Sequence, residues 1–164
     1  MSQSPTPVVA LQTPDSLRIA PRVLCHATSL RKATRRISQL YDAVLAPCGL
    51  RSTQRSILIQ VARNQAPAVT ELAAMLVIDR SALAQNLKPL EREGLISVGI
   101  DPEDKRSRRV RLTQAGVDKL LESQALWEQA QQCFEKSLGQ QQACELRDLL
   151  AKVAALDYGD GCSA

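Results

Sequence analysis

The sequence predicts a mainly α-helical protein with one small β-hairpin, and three observations carry that expectation. Apolar residues recur at intervals of three and four over most of the chain, the period of helices that bury one face. Between Ile96 and Leu112 the period shortens to two: Ile96, Val98 and Ile100 alternate with small or polar residues, as do Val110 and Leu112 with Arg109 and Arg111. Aromatic residues make up only 2% of 164, so the core must be built from Leu, Ala, Val and Ile.

Taken in order, residues 1–13 (MSQSPTPVVALQT) are rich in Ser, Pro and Gln and read as a disordered tail. From Pro14 the chain can turn helical, with Pro21 as a break or a fresh first turn. A long first helix is expected over about Arg22 to Ala46. Its stripe is Leu24, Ala27, Leu30, Ala33 or Thr34, Ile37, Tyr41, Val44 and Leu45, and Arg31, Lys32, Arg35 and Arg36 lie mostly on the other faces. Pro47 and Gly49 end it. Ser52 or Thr53 should cap a second helix through Ile57, Leu58 and Val61 to about Asn64. Pro67 breaks the chain, and a short third helix covers about Thr70 to Leu76. After Val77 and Ile78, Asp79 can cap a fourth helix from Arg80, since its carboxylate accepts free N–H groups of the first turn. Leu83, Leu87 and Leu90 form that helix's buried stripe, and Gly94 supplies a left-handed stop. Beyond the hairpin, Thr113 can cap a long fifth helix carrying Val117, Leu120, Leu121, Trp127, Ala130, Phe134 and Leu138. Gly139 interrupts it, and a sixth helix carries Ala143, Leu146, Leu150 and Val153 before a frayed GDGCSA end.

The order is therefore α,α,α,α,β,β,α,α. The third and fourth helices, joined by a short turn, make a helix-turn-helix, and the hairpin makes its wing. Residues 50–112 read as this winged helix-turn-helix, flanked by long helices at 14–48 and 113–158. Those helices carry more apolar surface than so small a centre can cover, so a two-fold homodimer is expected to bury it.

Charge narrows the partner. The net charge of +4 is mild, so clustering matters more than the total. The hairpin turn holds Asp101, Pro102, Glu103 and Asp104, then five bases in seven residues: Lys105, Arg106, Arg108, Arg109 and Arg111. A solvated charged turn is the bland account. Beside a helix-turn-helix, such a cluster instead fits double-stranded nucleic acid. The scarcity of aromatics argues against a single-strand or RNA binder, which needs stacking platforms. No enzyme is expected: there is no glycine-rich dinucleotide motif, no phosphate loop, no HExxH, and a single histidine. No cofactor is expected. Five cysteines, an odd number with no CxxC pair, argue against a disulfide framework or zinc site, and reduced, mostly buried thiols are the default. Without a signal peptide or a membrane-length apolar run, the chain is expected in the cytoplasm.

The segments DRSALAQNLKPLEREGLI and DPEDKRSRRVRLTQAG, with RKATRRISQLYDAVLAPCGL in the first helix, resemble the MarR family of winged-helix transcriptional regulators. The resemblance runs from about Leu24 to Leu156. It implies a dimer that sets each fourth helix in a major groove and each wing in an adjacent minor groove of a pseudo-palindromic operator. By position it implies Arg80, Ser81, Ala82, Gln85, Asn86 and Lys88 as groove-facing residues and Arg106 as the minor-groove residue. The chemistry of those types agrees: Gln and Asn pair with adenine, Lys reaches guanine or phosphate, and Arg suits a narrow minor groove. Lys105, Arg108 and Arg109 add wing charge, and the Asp104 carboxylate is expected to orient Arg106 or a neighbouring wing arginine. Pro89 lies inside the helix, where it either tunes its lie in the groove or is tolerated.

The resemblance also implies a repressor released by an effector. His26, Arg31 and Arg35 could take an anionic, aromatic-acid effector, since Arg binds carboxylates bidentately; His26 is otherwise a structural residue. The alternative is a redox-responsive repressor, with Cys25 and Cys133 or Cys144 as the thiols to watch, against inert burial. One subgroup of the family senses hydroperoxides through a cysteine near the start of the first helix. Alignment on Arg35, Ile37 and Tyr41 puts Ala27 there, and Cys25 lies about 200° round the helix, which argues against that sensor. A third reading is a winged helix used for protein contacts alone, whose wing would not need so many bases.

Overall fold

The computed structural model describes residues 25–157. The tail expected over 1–13, the helical start expected from Pro14 to Leu24 and the frayed end lie outside them. Helix α1 (His26–Leu45) runs into a 3-10 turn at Ala46–Cys48, then α2 (Ser52–Arg63), α3 (Val69–Met75) and α4 (Arg80–Arg92). Strands β1 (Ile96–Ile100) and β2 (Arg108–Leu112) follow, then α5 (Gln114–Glu122), α6 (Gln124–Leu138) and α7 (Gln140–Ala154). This is a winged helix-turn-helix between long helices, as expected. The strands pair antiparallel with Ile96 opposite Leu112 and Val98 opposite Val110. The stretch after Pro67 joins them edge-on, because the Val110 N–H donates to the Pro67 carbonyl at 3.0 Å and Ala68 bridges Arg109.

The core lies in the winged centre, where Leu45, Leu58, Leu72, Leu83, Leu90 and Val110 are completely buried. Its α4 contribution is the stripe Leu83, Leu87 and Leu90, three positions on one side of a 3.6-residue period. Gly94 ends α4 at φ +71° and Gly49 ends the 3-10 turn at +75°, both in the left-handed region that a Cβ disfavours. Helix α5 sits directly on the base of the wing: a side chain at Gly116 would collide with the Leu95 carbonyl. Helix α5 is therefore packed tightly against the base of the wing.

Two expectations are corrected. Neither Ser52 nor Thr53 caps α2 with its side chain. Ser52 is already helical, and its N–H and hydroxyl both donate to Asp42 Oδ1 of α1, at 2.7 and 2.6 Å, while Gln54 Oε1 accepts from the Arg51 N–H at 2.8 Å. The acceptor that decides this start is ten residues away in sequence. The single long fifth helix is instead two, α5 and α6, divided at Ser123. The Ser123 hydroxyl donates to the Leu120 carbonyl at 2.8 Å and accepts from Arg55 Nε at 3.0 Å, so a side chain from α2 engages the division.

The helix-turn-helix turn holds a strained residue. Val77 has φ +53° and is 71% exposed. A left-handed L-residue costs about 1–2 kcal/mol, and glycine's extra unfolded-state freedom costs about 0.5–1 kcal/mol. Because the Val77 side chain buries little, the strain term wins. Val77→Gly should stabilise the fold by about 0.5–1 kcal/mol, read as a higher urea midpoint; a lower midpoint would mean that the exposed side chain supplies stability of its own.

Candidate nucleic-acid interface

Helix α4 begins where Asp79 Oδ1 accepts from the Ala82 N–H at 2.7 Å and from the Ser81 hydroxyl at 2.5 Å. Those bonds, Ser81 first, hold the Asp79 carboxyl below the usual carboxylate range. With Leu83, Leu87 and Leu90 facing the core, the opposite stripe is Ser81, Gln85, Lys88 and Arg92, all exposed. Arg80 is exposed at the leading end and Ala82 half-buried beside the stripe. Arg92, which sequence reading passed over, completes the stripe at i+4 from Lys88; that spacing was the available signal. Asn86 differs from its neighbour Gln85. It is half-buried, and its Nδ2 donates to the Ala82 carbonyl at 2.8 Å, which turns the amide back onto its own helix. Lys88 Nζ lies 3.5 Å from Gln85 Oε1. Pro89 cannot donate to the carbonyl one turn back, yet α4 runs through it to Arg92.

In the wing, Asp104 works through the backbone. Its Oδ1 accepts from the Arg106 N–H at 2.9 Å and its carbonyl from the Ser107 N–H at 2.9 Å. It therefore shapes the tip without holding a guanidinium. The carboxylate that does hold one is Asp101, buried at 4% exposure, which sequence reading placed in the hairpin turn without a partner. Asp101 Oδ2 accepts from Arg109 Nε at 2.7 Å, and Arg109 Nη1 donates to the Ala66 carbonyl at 3.0 Å. Arg109 thus ties the wing to the loop after α2 instead of extending freely from it. The Asp101 carboxyl is held below the usual range by the Glu103 N–H first, then by Arg109. Lys105, Arg106, Arg108 and Arg111 remain exposed. The structure therefore leaves one stripe of α4 and four wing cations pointing away from the core.

The residues assigned to an effector do not converge. Along α1, His26 continues the apolar stripe of Leu30 and Ile37, whereas Arg31 and Arg35 lie roughly 140–180° away. A cavity of about 340 Å³ opens elsewhere, between α1, α2 and α6, with Tyr41, Arg55, Arg63, Gln124 and Trp127 in its wall. Arg55 is 6% exposed, and its guanidinium lies 4.8 Å from the Trp127 ring centre. Burial pulls its pKa below the ordinary arginine value, though a guanidinium stays charged in proteins. The thiols also depart from expectation. Cys48 is buried, but Cys25, Cys133 and Cys144 are exposed in the single chain, because their helices present those positions away from the core. The backbone N–H of Thr28, then its side chain, hold the Cys25 thiol below its usual range at the start of α1. Among the described residues, no three His, Cys, Asp or Glu side chains group as metal ligands. No described helix is long and apolar enough to cross a membrane.

A helix-turn-helix with a cation-bearing two-stranded wing defines the winged-helix class. Residues 50–107 match the family model described as MarR family. The chain is 32% identical to the M. tuberculosis transcriptional regulator MosR, solved in complex with DNA, covering 79% of this chain and 93% of that one at a TM-score of 0.72. It is 27% identical to the transcriptional repressor CouR bound to a 23-mer DNA duplex, covering 79% and 92% at a TM-score of 0.72. CouR from Rhodococcus jostii RHA1 bound to p-coumaroyl-CoA shares the fold at 19% identity, 80% and 93% coverage and a TM-score of 0.68. No curated protein sequence matches the chain. The chain belongs to the MarR family of transcriptional regulators.

Proposed function

We propose that this protein is a cytoplasmic homodimeric repressor that binds a pseudo-palindromic DNA operator and is released by a small anionic effector. The observation that carries the reading is the pairing of two free surfaces: the Ser81–Gln85–Lys88 stripe of α4 and the wing cations Lys105, Arg106 and Arg108. The stripe suits base edges in a major groove, and a tip arginine suits the negative potential of a minor groove. Homodimerisation is supported by Leu30, Leu138, Leu149, Leu150 and Val153, large apolar side chains exposed along α1, α6 and α7 in the single chain, and by exposed Leu156 just past α7. An apolar groove of about 570 Å³ between α1 and α6, lined by Ile37, Leu40, Phe134 and Leu138, lies among the same helices. Residues 26–48 and 113–157 would then supply the dimer interface and 50–112 the DNA-binding unit. The effector moves from the His26 region to the cavity holding Arg55 and Arg63, where two guanidiniums and an indole suit an aromatic carboxylate. The repressor sign and the aromatic acyl class agree with what is described for CouR. The exposed thiols favour a second reading, a redox-responsive repressor.

Selection of bound genomic fragments followed by mobility shift tests the reading. The selected duplex should bind with affinity falling about 10³-fold between 50 and 200 mM salt, as expected for six or more phosphate contacts. Failure to retain any duplex, or binding indifferent to salt, would overturn it. The same shift repeated with aromatic carboxylates and with diamide separates the two release mechanisms: the first should weaken the complex, and a response to diamide alone would favour the thiols.

A further inference from the structure

Arg55 is a buried cation on α2 that takes part in none of the ion pairs among the described residues. A guanidinium removed from water needs its N–H fork satisfied, and here neutral groups do it. Its Nε donates to Ser123 Oγ at 3.0 Å, its Nη2 donates to Gln124 Oε1 at 2.8 Å, and its face meets Trp127. Gln124 in turn donates to Glu128 at 2.6 Å, so the Glu128 carboxylate is reached through an amide. All three partners belong to one place, the division between α5 and α6 and the first turn after it. Ser123 is fully buried there and also bonds Leu120.

That division separates two bodies. On one side α5 is fixed to the winged centre by Gly116 against Leu95, while Lys119 Nζ donates to the Cys48 carbonyl at 3.2 Å in the 3-10 turn that ends α1. On the other, α6 lies along α1, with Tyr41 donating to Gln131. We propose that Arg55 is a positioning residue that sets the angle at which the winged centre leaves the long helices, and so the spacing of the two recognition helices in the dimer. The cavity of about 340 Å³ opens beside its fork, with Gln124 and Trp127 in the wall. An anion entering it would compete with Gln124 for Nη2 and loosen the hold on Ser123. The proposal rests on the DNA-binding reading above.

The test uses the full chain with Arg55→Gln, Arg55→Lys and Ser123→Ala. Affinity is measured on the selected operator, on versions with the half-site spacer one base pair longer or shorter, and on non-specific DNA. Thermal midpoint and Trp127 emission are followed in parallel; Trp127 is the sole tryptophan. The Arg55 variants should bind non-specific DNA like wild type but lose about tenfold on the native spacer, within the range of coupling between sites. Their preference for the native spacer over the altered ones should collapse, Ser123→Ala should show the same collapse in part, and emission should shift as the guanidinium leaves the ring. An equal loss on all three spacers, tracking a fall in thermal midpoint, would make Arg55 a core residue only and overturn the proposal. Retention of the wild-type spacer preference by the variants overturns the proposal alone. A wild-type chain that binds no duplex overturns the DNA-binding reading and this inference with it.

Discussion

Arg106→Ala should weaken operator binding by about 10- to 100-fold, the effect of removing one specific arginine contact, with no change in thermal midpoint. Arg106 sits at the wing tip, its backbone fixed by Asp104 and its side chain exposed. The fold loses nothing when the guanidinium goes, so the whole effect should appear in DNA affinity. Sequence dependence identifies the contact. A loss concentrated on operators whose flanks narrow the minor groove would mark insertion there. A uniform loss with the salt slope reduced by about one would mark a phosphate contact. Arg106→Lys keeps the charge and should recover most of a phosphate contact but little of a groove contact. Unchanged affinity in the alanine variant would remove the wing tip from the interface.

Arg109→Ala should also reduce operator affinity by about tenfold or more, and here the fold should respond too. Its Nε bond to Asp101 and its Nη1 bond to the Ala66 carbonyl hold the wing against the loop after α2. Two accounts of the loss are separable. If Arg109 reached DNA itself, removing Asp101 would free a cation and strengthen binding. If Arg109 acts by anchoring, Asp101→Ala should weaken binding as Arg109→Ala does, and the double variant should be little worse than either, because both delete one interaction. We expect the second pattern, measured by mobility shift with thermal midpoints in parallel. Tighter binding by Asp101→Ala would return Arg109 to the DNA-contacting set.

Acid should loosen the same anchor. A carboxyl whose folded-state pKa is depressed stabilises the fold at pH above its unfolded value, about 4. That contribution is lost as pH falls through the lowered folded value. Wing order should therefore hold between pH 7 and 5 and fail only below about pH 4, seen as protease sensitivity near residues 101–109. Loss of order near pH 6 would point to another group.

Local signals made much of this legible. The Asp79 cap, the Leu83–Leu87–Leu90 stripe, the Gly94 stop and the Thr113 cap each act within four residues, a range over which side-chain type and backbone geometry are directly coupled. The period-two hairpin was readable for the same reason. What escaped depended on partners distant in the chain. Asp42 starts α2 from α1, and Arg55 reaches Ser123 across 68 residues. Asp101 is an acidic turn residue by composition, yet the fold buries it against Arg109.

For the candidate site, composition located the basic wing and helical spacing located the recognition stripe. Neither could tell a free cation from an engaged one. Arg108 and Arg109 are adjacent and chemically identical, and alternate sides of a strand send one to solvent and the other to a buried carboxylate. Gln85 and Asn86 part in the same way on α4. His26, Arg31 and Arg35 looked like a cluster because they are close in sequence, but the turn of α1 sets His26 on a different face from the two arginines. By itself the sequence determined the order of elements as far as the hairpin, the helix-turn-helix and the charge of the wing, all properties of short-range pattern. The tertiary structure decided which of those charges remain free, where the cavity lies and that Arg55 meets the α5–α6 division, because burial and hydrogen-bond partnership arise only when distant segments pack.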